Sequence, residues 1–159
     1  MSEGLPPVQF FRVSQKAVCP VQAHETDAGY DISITGVKST FQFHRLYHTH
    51  IVVVFNDPSC YGELYARSSL AKLGLQLANG VGIIDPSYRG ELMVSLFNFH
   101  GSDPLPNIGE ECFPMRVAQL IIKKRTHFGK LTFEASLWED CKDKYLTERG
   151  EGGFGSSGK

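Results

Sequence analysis

One stretch of the sequence, residues 79–91, combines a single carboxylate with residues that favour a strand followed by a turn. The β-branched pair Ile83–Ile84 leads directly into Asp85, and Pro86–Ser87 then turns the chain. With a second strand at 92–97, the stretch predicts a β-hairpin. A carboxylate buried beside isoleucines is a candidate general base. A turn-capping role for Asp85 is the alternative that this stretch leaves open.

The same stretch also offers a place for a flat ligand. Gly80 and Gly82 leave the backbone bare on one side, which permits close approach. Tyr88 follows on the far side of the turn. We therefore expect a pocket between the glycines and Tyr88, with Asp85 at its floor.

A second group of residues has the chemistry of an anion site. Arg67, Ser68 and Ser69 place a guanidinium and two hydroxyls at the start of a short predicted helix, residues 68–73. Unpaired N–H groups at a helix start favour a phosphate. An N-cap by Ser68 is the alternative, and the two interpretations are compatible. Further upstream, Asp27 and Asp31 flank a glycine and could hold Mg²⁺ through water, although either acid alone fits a turn residue better.

The C-terminal residues differ from the rest of the chain. Residues 139–144 are mostly charged, and residues 150–158 are rich in glycine. Such composition is typical of a disordered terminus. However, an arginine, two serines and one aromatic residue among glycines are also phosphate-binding and base-stacking groups. We interpret this segment as a lid that orders over a nucleotide.

The elements that must position these groups are mostly strands. Alternating or continuous apolar runs predict strands at 8–13, 30–34, within 41–55 (with a run at 51–55 buried on both faces), 61–66, 75–77, 92–97, 115–122 and 130–137. Short strands with very little helix indicate an all-β fold, a jelly-roll-like distorted barrel. We predict a barrel domain at 1–138 and a C-terminal arm at 139–159.

Composition restricts the function classes. The 159 residues carry a net charge of −1, which gives no indication of nucleic-acid or membrane binding. The four cysteines form no C-x-x-C pair, which argues against both a zinc site and a disulfide framework. No apolar leader precedes the first strands. We expect an intracellular protein, cytoplasmic or nuclear.

Taken together, the motifs resemble the trimeric dUTP pyrophosphatase (dUTPase) family. Five motifs stand in the order and spacing of that family over residues 27–158. They are Ala28-Gly-Tyr-Asp-Ile32, Ala66-Arg-Ser-Ser-Leu-Ala71, Gly82-Ile-Ile-Asp-Pro-Ser-Tyr-Arg-Gly90, Arg116-Val-Ala-Gln-Leu120 and Arg149-Gly-Glu-Gly-Gly-Phe-Gly-Ser-Ser-Gly158. Five matches in register make coincidence a poor explanation.

The resemblance implies a homotrimer of jelly-roll-like subunits with active sites shared between chains. It implies hydrolysis of dUTP to dUMP and pyrophosphate, in which Asp85 activates water for attack on the α-phosphorus and Asp31 holds Mg²⁺ through water. It also implies phosphate binding by Arg67, Ser68, Ser69 and Gln119, recognition of the uracil edge by Asn79 and Gly82, and contact of Tyr88 with the deoxyribose. From another subunit, it implies Phe154 stacked on uracil. That subunit would also place Arg149, Gly155, Ser156 and Ser157 on the terminal phosphates.

Two other functions remain as alternatives. The dCTP deaminases share the fold and resemble this chain at residues 67–74 and 84–86, but they need a glutamate where Ser95 stands. They also lack the 149–158 segment. A catalytically silent relative that binds a nucleotide or a protein partner is the other alternative. Such a module need not keep the whole set of site residues, all of which are present, namely Asp31, Arg67, Asp85, Tyr88 and Phe154.

The chain departs from the family pattern at a few positions. Ala66 stands where proline is usual, Ser69 where glycine is frequent, and neither change removes a phosphate ligand. His44, His48 and His50 are unusual, and His50 takes the place of a glycine. The 48/50 spacing places both rings on one face of a strand. We expect a variable surface or trimer-contact strand here rather than a catalytic metal.

Overall fold

The structure is a computed structural model of the chain, and it describes residues 6–99, 108–127, 129, 135–145 and 147. The chain divides into two compact units, residues 1–126 and residues 127–159. None of the helices in the described ranges has the length and apolar character needed to cross a membrane. The domain boundary that we place at residue 138 stays a prediction.

The first unit is built almost entirely from β-strands. Its ten described strands are β1 (Val8–Arg12), β2 (Tyr30–Ile34), β3 (Gly36–Thr40), β4 (His44–His48), β5 (Ile51–Phe55), β6 (Cys60–Ala66), β7 (Leu75–Leu77), β8 (Gly82–Ile84), β9 (Met93–Asn98) and β10 (Met115–Lys124). They form three sheets, with the orders β1-β5, β2-β10-β6-β8 and β3-β4-β9-β7. All the pairings are antiparallel. The predicted all-β class is confirmed.

Alternate residues of these strands form one hydrophobic core. In β5, the residues Ile51, Val53 and Phe55 are buried, whereas Val52 and Val54 are only half-buried. The prediction that this run is buried on both faces is therefore wrong. β5 instead contributes one face to the core, as expected for an antiparallel sheet.

The histidine-rich region forms a hairpin, in which β3 pairs with β4 from Gly36↔His48 to Thr40↔Arg45. Sequence reasoning missed β3, because most of its side chains are polar or exposed. The partner strand β4 also pairs with β9. The region therefore belongs to the third sheet.

The hairpin predicted around Asp85 is wrong. Strand β8 pairs with β6, in the register Gly62↔Ile84 to Leu64↔Gly82. Strand β9 pairs with β4 and β7 instead. The connection between β8 and β9 therefore crosses from one sheet to another, and Asp85 lies at the start of that connection.

The helices are short. Helix α1 (Ser69–Lys72) lies within the predicted range and follows β6, and a 3₁₀ helix spans Glu110–Cys112. In the second unit, α2 (Trp138–Cys141) and a 3₁₀ helix at Lys142–Tyr145 form within the charged segment, which sequence reasoning did not predict. The strand predicted at 130–137 lies mostly outside the described residues. All four cysteines are free.

One polar network crosses the second sheet on β6 and β10. The carboxylate of Glu63 accepts hydrogen bonds from the Tyr61 hydroxyl (2.7 Å), the Tyr65 hydroxyl and the Lys123 ammonium (2.6 Å). The bond from Lys123, followed by those from Tyr65 and Tyr61, lowers the pKa of Glu63 from 4.5 to about 2. The ionised carboxylate is thus favoured in the folded state.

Glu63→Gln is expected to weaken the dependence of stability on acidic pH. Because the folded-state pKa of Glu63 is below its ordinary value, its contribution is present above about pH 4.5 and is lost as the pH falls toward about 2. Melting temperatures measured from about pH 5 to about pH 3 should fall less steeply for this variant than for the wild type. The exposed Glu25→Gln is the control and should follow the wild type. Equal slopes for all three proteins would contradict the network.

Candidate active site

Four of the predicted phosphate and metal residues line one cavity of about 280 Å³, namely Asp31, Arg67, Ser68 and Gln119. Strand pairing explains how they meet. Asp31 on β2 lies opposite Gln119 on β10, and Ala118 pairs with Ala66 at the end of β6, directly before Arg67. Neighbouring strands of one sheet therefore bring together groups that are up to 88 residues apart in the sequence.

Asp31 lies between two guanidinium groups. Its Oδ1 is 3.3 Å from Arg67 Nε, and its Oδ2 is 3.3 Å from Arg116 Nη1. The carboxylate is mostly buried, with 15% of the side chain exposed. Sequence reasoning quoted Arg116 within a motif but gave it no role. Its signal was its place near the start of β10, where it pairs with Ser33, two residues beyond Asp31 on β2, and only the strand register reveals that proximity.

The serines after Arg67 do not act as helix caps in this structure. Ser68 precedes α1, yet its hydroxyl makes no capping hydrogen bond. The N-cap interpretation is therefore not supported, and the hydroxyl remains available to the cavity that Ser68 lines. Ser69 is the first residue of α1 and is not among the lining residues. A four-residue helix has little macrodipole, so Arg67 supplies most of the positive charge.

Asp27 fulfils the turn role that we considered for it. Its carboxylate Oδ2 accepts the backbone N–H of His24 (2.9 Å), and its carbonyl accepts the Gln22 amide (2.7 Å). Asp27 also lines the cavity with Asp31. Of the two acids, Asp31 is the one held by cationic groups.

A second cavity, of about 220 Å³, contains the predicted base and nucleoside residues Asn79, Gly82, Asp85 and Tyr88. It shares no lining residue with the first cavity. Gly80 has φ +69°, a conformation that favours glycine. A Cβ on Gly82 would lie 3.2 Å from Leu64 Cβ and 3.5 Å from Asn79 Nδ2. The absence of a side chain thus lets β8 pack closely on β6 and leaves room for Asn79.

Asp85 is exposed in the single chain, so the prediction that it is buried beside isoleucines is wrong. Ile83 is itself 56% exposed and Ile84 is half-buried, because β8 is the edge strand of its sheet. The carbonyl of Asp85 accepts the N–H of Tyr88 (3.0 Å), which closes the turn after β8. This turn directs the chain away from the strand immediately after the carboxylate.

Tyr88 is held by its own turn. Its hydroxyl donates to the carbonyl of Glu91 at 3.0 Å, although 43% of the residue is exposed. A Cβ on Gly90 would overlap the tyrosine ring. Gly90 therefore allows Tyr88 to fold back over the turn and to border the cavity.

Glu91 is, after Arg116, the second site residue that sequence reasoning missed. It lines the second cavity, and its Oε1 accepts the N–H of His50 at 2.6 Å. Both of its carboxylate oxygens lie 3.1 Å from His48 Nδ1. These partners are more than forty residues away in the sequence, so no local pattern indicates them.

Arg149, Phe154, Gly155, Ser156 and Ser157 all lie outside the described residues.

Comparison with known proteins agrees with the motifs and the fold. A sequence model of the dUTPase family matches residues 15–158. The deoxyuridine 5'-triphosphate nucleotidohydrolase of Fowl adenovirus A serotype 1 is 39% identical over 155 residues, covering 96% of this chain and 78% of the relative. The chain belongs to the dUTPase family.

Solved structures of dUTPase-family proteins share its fold. The dUTPase of Staphylococcus bacteriophage 80alpha with dUpNHpp aligns with a TM-score of 0.71 at 24% identity, covering 96% of this chain and 98% of the phage chain. A variant dUTPase from phage phi11 of S. aureus, for which coordination of a structural Mg(II) ion is described, aligns with a TM-score of 0.62 at 22% identity, covering 82% and 97%. At these identities the likeness establishes the fold.

Gly90→Ala is expected to displace Tyr88 at little cost in stability. The added methyl group overlaps the ring, but the half-exposed ring can swing outward, losing one hydrogen bond worth about 1 kcal/mol. A crystal structure of the variant should show the hydroxyl detached from the Glu91 carbonyl, and urea unfolding gives the cost. Gly36→Ala, where a Cβ meets no atom within 4 Å, is the matched control. A tyrosine that stays bonded to Glu91 in the variant would contradict this account.

Proposed function

We propose that this chain hydrolyses dUTP to dUMP and pyrophosphate, with Asp85 activating the attacking water. The main support for the proposal is that residues of the dUTPase motifs line two cavities of different chemistry. One is lined by charged, hydroxyl and amide groups, and the other mainly by apolar groups, with the Asn79 amide and the carboxylates of Asp85 and Glu91. Membership of the dUTPase family supports dUTP as the substrate.

The first cavity suits a triphosphate. Arg67 lies on its wall with Ser68 and Gln119, so a guanidinium, a hydroxyl and an amide converge there. Arg116 adds positive charge through its ion pair with Asp31. Phosphoryl transfer depends mainly on neutralising charge and on positioning, and these groups provide both. Ser69, one residue further on, is proposed as a phosphate ligand on the family motif alone.

Asp31 fits a Mg²⁺ ion held through water. Each of its carboxylate oxygens has one guanidinium partner at 3.3 Å, and a carboxylate oxygen has lone pairs left for a second donor. Mg²⁺ retains several of its waters in protein sites, and such waters can donate to those lone pairs. The bound ion would neutralise phosphate charge. In this proposal Asp31 orients that hydrated ion while Arg67 contacts the phosphate oxygens.

Asp85 acts as the general base in this proposal. Its carboxylate accepts a proton from a water as the water oxygen attacks the α-phosphorus. The bond from that phosphorus to the bridging oxygen breaks, and pyrophosphate leaves with the electron pair. Asp85 is exposed in the single chain, so neighbouring groups must exclude bulk solvent during reaction.

A homotrimer would provide those groups. Because the two cavities of one chain share no lining residue, we propose that the phosphate cavity of one subunit and the nucleoside cavity of a neighbour form one site. Asn79 and the backbone at Gly82 would bind the uracil edge, and Tyr88 would pack on the deoxyribose. The segment carrying Arg149 and Phe154 would come from a third subunit, with Gly155, Ser156 and Ser157 near the terminal phosphates.

Pyrophosphate release from dUTP, dTTP, dCTP and UTP, each with Mg²⁺, tests the proposed function. We expect kcat/KM for dUTP to exceed that for the other three by at least about 100-fold. The fixed backbone edge rejects the methyl group of thymine and the amino group of cytosine, and Tyr88 rejects the 2′-hydroxyl of UTP. Comparable release from dCTP or UTP would overturn the specificity. Binding of dUTP without pyrophosphate release would identify the silent relative instead.

Asp85→Asn is expected to bind dUTP with nearly unchanged affinity and to lose about 10²- to 10⁴-fold in kcat, because the amide cannot accept the proton. Single-turnover assays measure the chemical step, and calorimetry measures binding. Asp140→Asn, an exposed residue of α2, is the control and should keep full activity. Retained turnover in Asp85→Asn would refute the assignment of the base.

A further inference from the structure

His48, His50 and Glu91 form a cluster, called here the histidine–glutamate cluster, outside the proposed phosphate cavity. All three residues are half-buried, and one candidate ligand atom from each lies within 4.8 Å of the other two. His44, on the same strand, does not join the cluster and stacks on Phe41 with ring centroids 4.5 Å apart. The cluster therefore contains two of the three neighbouring histidines, His48 and His50.

The spacing of the three atoms is close to that of ligands around one metal ion. Three atoms within 4.8 Å of each other have a common centre at most about 2.8 Å from each, which is 4.8 Å divided by √3. Zinc–nitrogen and zinc–oxygen bonds are about 2.0–2.2 Å long. Each atom therefore needs to move by less than about 1 Å. His48 Nδ1 and the Glu91 oxygens, 3.1 Å apart, already have the separation of two ligands of a tetrahedral ion.

The surroundings orient the imidazoles. His50 Nδ1 lies 2.7 Å from Thr35 Oγ1, and that hydroxyl donates to the carbonyl of His48 at 3.2 Å. The hydroxyl oxygen therefore accepts a hydrogen bond from the Nδ1–H of His50, which leaves the lone pair on Nε2. A histidine ligand that donates its other ring N–H to an oxygen is the usual arrangement in metal sites. The backbone N–H of His50 in turn orients Glu91, at 2.6 Å.

The backbone also holds the cluster in place. His50 has φ +57°, and it is the one non-glycine residue with positive φ among the described residues. This conformation brings its ring parallel to that of His48, with centroids 4.9 Å apart and planes 8° apart. A histidine with regular strand geometry at this position would direct its ring elsewhere. The left-handed turn thus assembles two imidazoles on one side of the chain.

We propose that the histidine–glutamate cluster binds one divalent late transition metal, of the Zn²⁺ class, through His48, His50 and Glu91, with water as the fourth ligand. Imidazole nitrogens favour such ions over Mg²⁺, whose preferred ligands are oxygens. The ion replaces the hydrogen that bridges His48 Nδ1 and the Glu91 carboxylate, and the neutral imidazole then carries its N–H on Nε2. Glu91 also lines the cavity that contains Asp85. The bound metal would tie residues 48–50 to the connection that carries the proposed base.

Zinc titration of the full-length chain, with excess Mg²⁺ present, tests the proposal independently of activity. We expect one high-affinity Zn²⁺ per chain and a higher melting temperature with zinc. His48→Gln should lose at least about 100-fold in affinity, since it removes a ligand, whereas replacing an outer-shell partner costs about 10- to 100-fold. His44→Gln is the matched control and should bind zinc like the wild type.

A second pair of measurements keeps the test decisive if His48→Gln folds poorly. Glu91→Gln retains an acceptor for the His50 N–H but removes the charged ligand, and should also lose zinc affinity. Co²⁺ substituted for Zn²⁺ should give a visible spectrum without a thiolate charge-transfer band. Equal zinc affinity in wild type, His48→Gln and Glu91→Gln, or a thiolate band that signals cysteine ligands, would overturn the proposal.

Discussion

The second cavity depends on a short set of buried hydrogen bonds between residues 49–51 and residues 91–92. The Thr49 hydroxyl donates to the carbonyl of Leu92 at 2.7 Å, and the N–H of Leu92 donates to the carbonyl of Ile51 at 2.7 Å. Thr49 and Leu92 are each only 1% exposed, so water cannot replace these partners if the bonds break. The start of β9 is thereby fixed to the start of β5. The last residue of the connection from Asp85 to Glu91 is therefore held next to residues 49–51.

Strand pairing restrains both ends of the connection from β8 to β9. At its first end, β8 is paired with β6 in the second sheet, and at its last end β9 is paired with β4 and β7 in the third sheet. A loop that spans two packed sheets is restrained more strongly than a hairpin loop, whose two strands can move together. Two local hydrogen bonds complete the turn, one from the Tyr88 N–H to the Asp85 carbonyl and one from the Arg89 guanidinium to the Pro86 carbonyl. The lone aspartate is therefore exposed and yet held in place.

Local sequence patterns predict the strands well and predict strand pairing poorly. The bounds of Tyr30–Ile34 and Leu75–Leu77 follow directly from apolar alternation, and the apolar residues Ile32, Ile34, Leu75 and Leu77 are buried. The hairpin at Asp85 fails because adjacency in the sequence does not decide which sheet a strand joins. Arg116 and Glu91 were missed for the same reason, since their partners Asp31, His48 and His50 are distant in the sequence. The residues of the first cavity could be named because the family motifs carry them, but only the register of β2 and β10 explains why they meet.

The left-handed conformation of His50 shows how side-chain contacts offset a backbone cost. A non-glycine residue in this region costs about 1–2 kcal/mol relative to a right-handed conformation, and the family pattern has glycine here. The histidine recovers this cost through contacts that glycine lacks, namely the bond to Thr35 and the stacking on His48. The bond from its N–H to Glu91 would be made by glycine as well, so the carboxylate alone does not explain the imidazole. What histidine adds at this position is a second ring nitrogen beside His48 and Glu91, and a nitrogen lone pair next to a carboxylate is chiefly useful as a ligand for a cation.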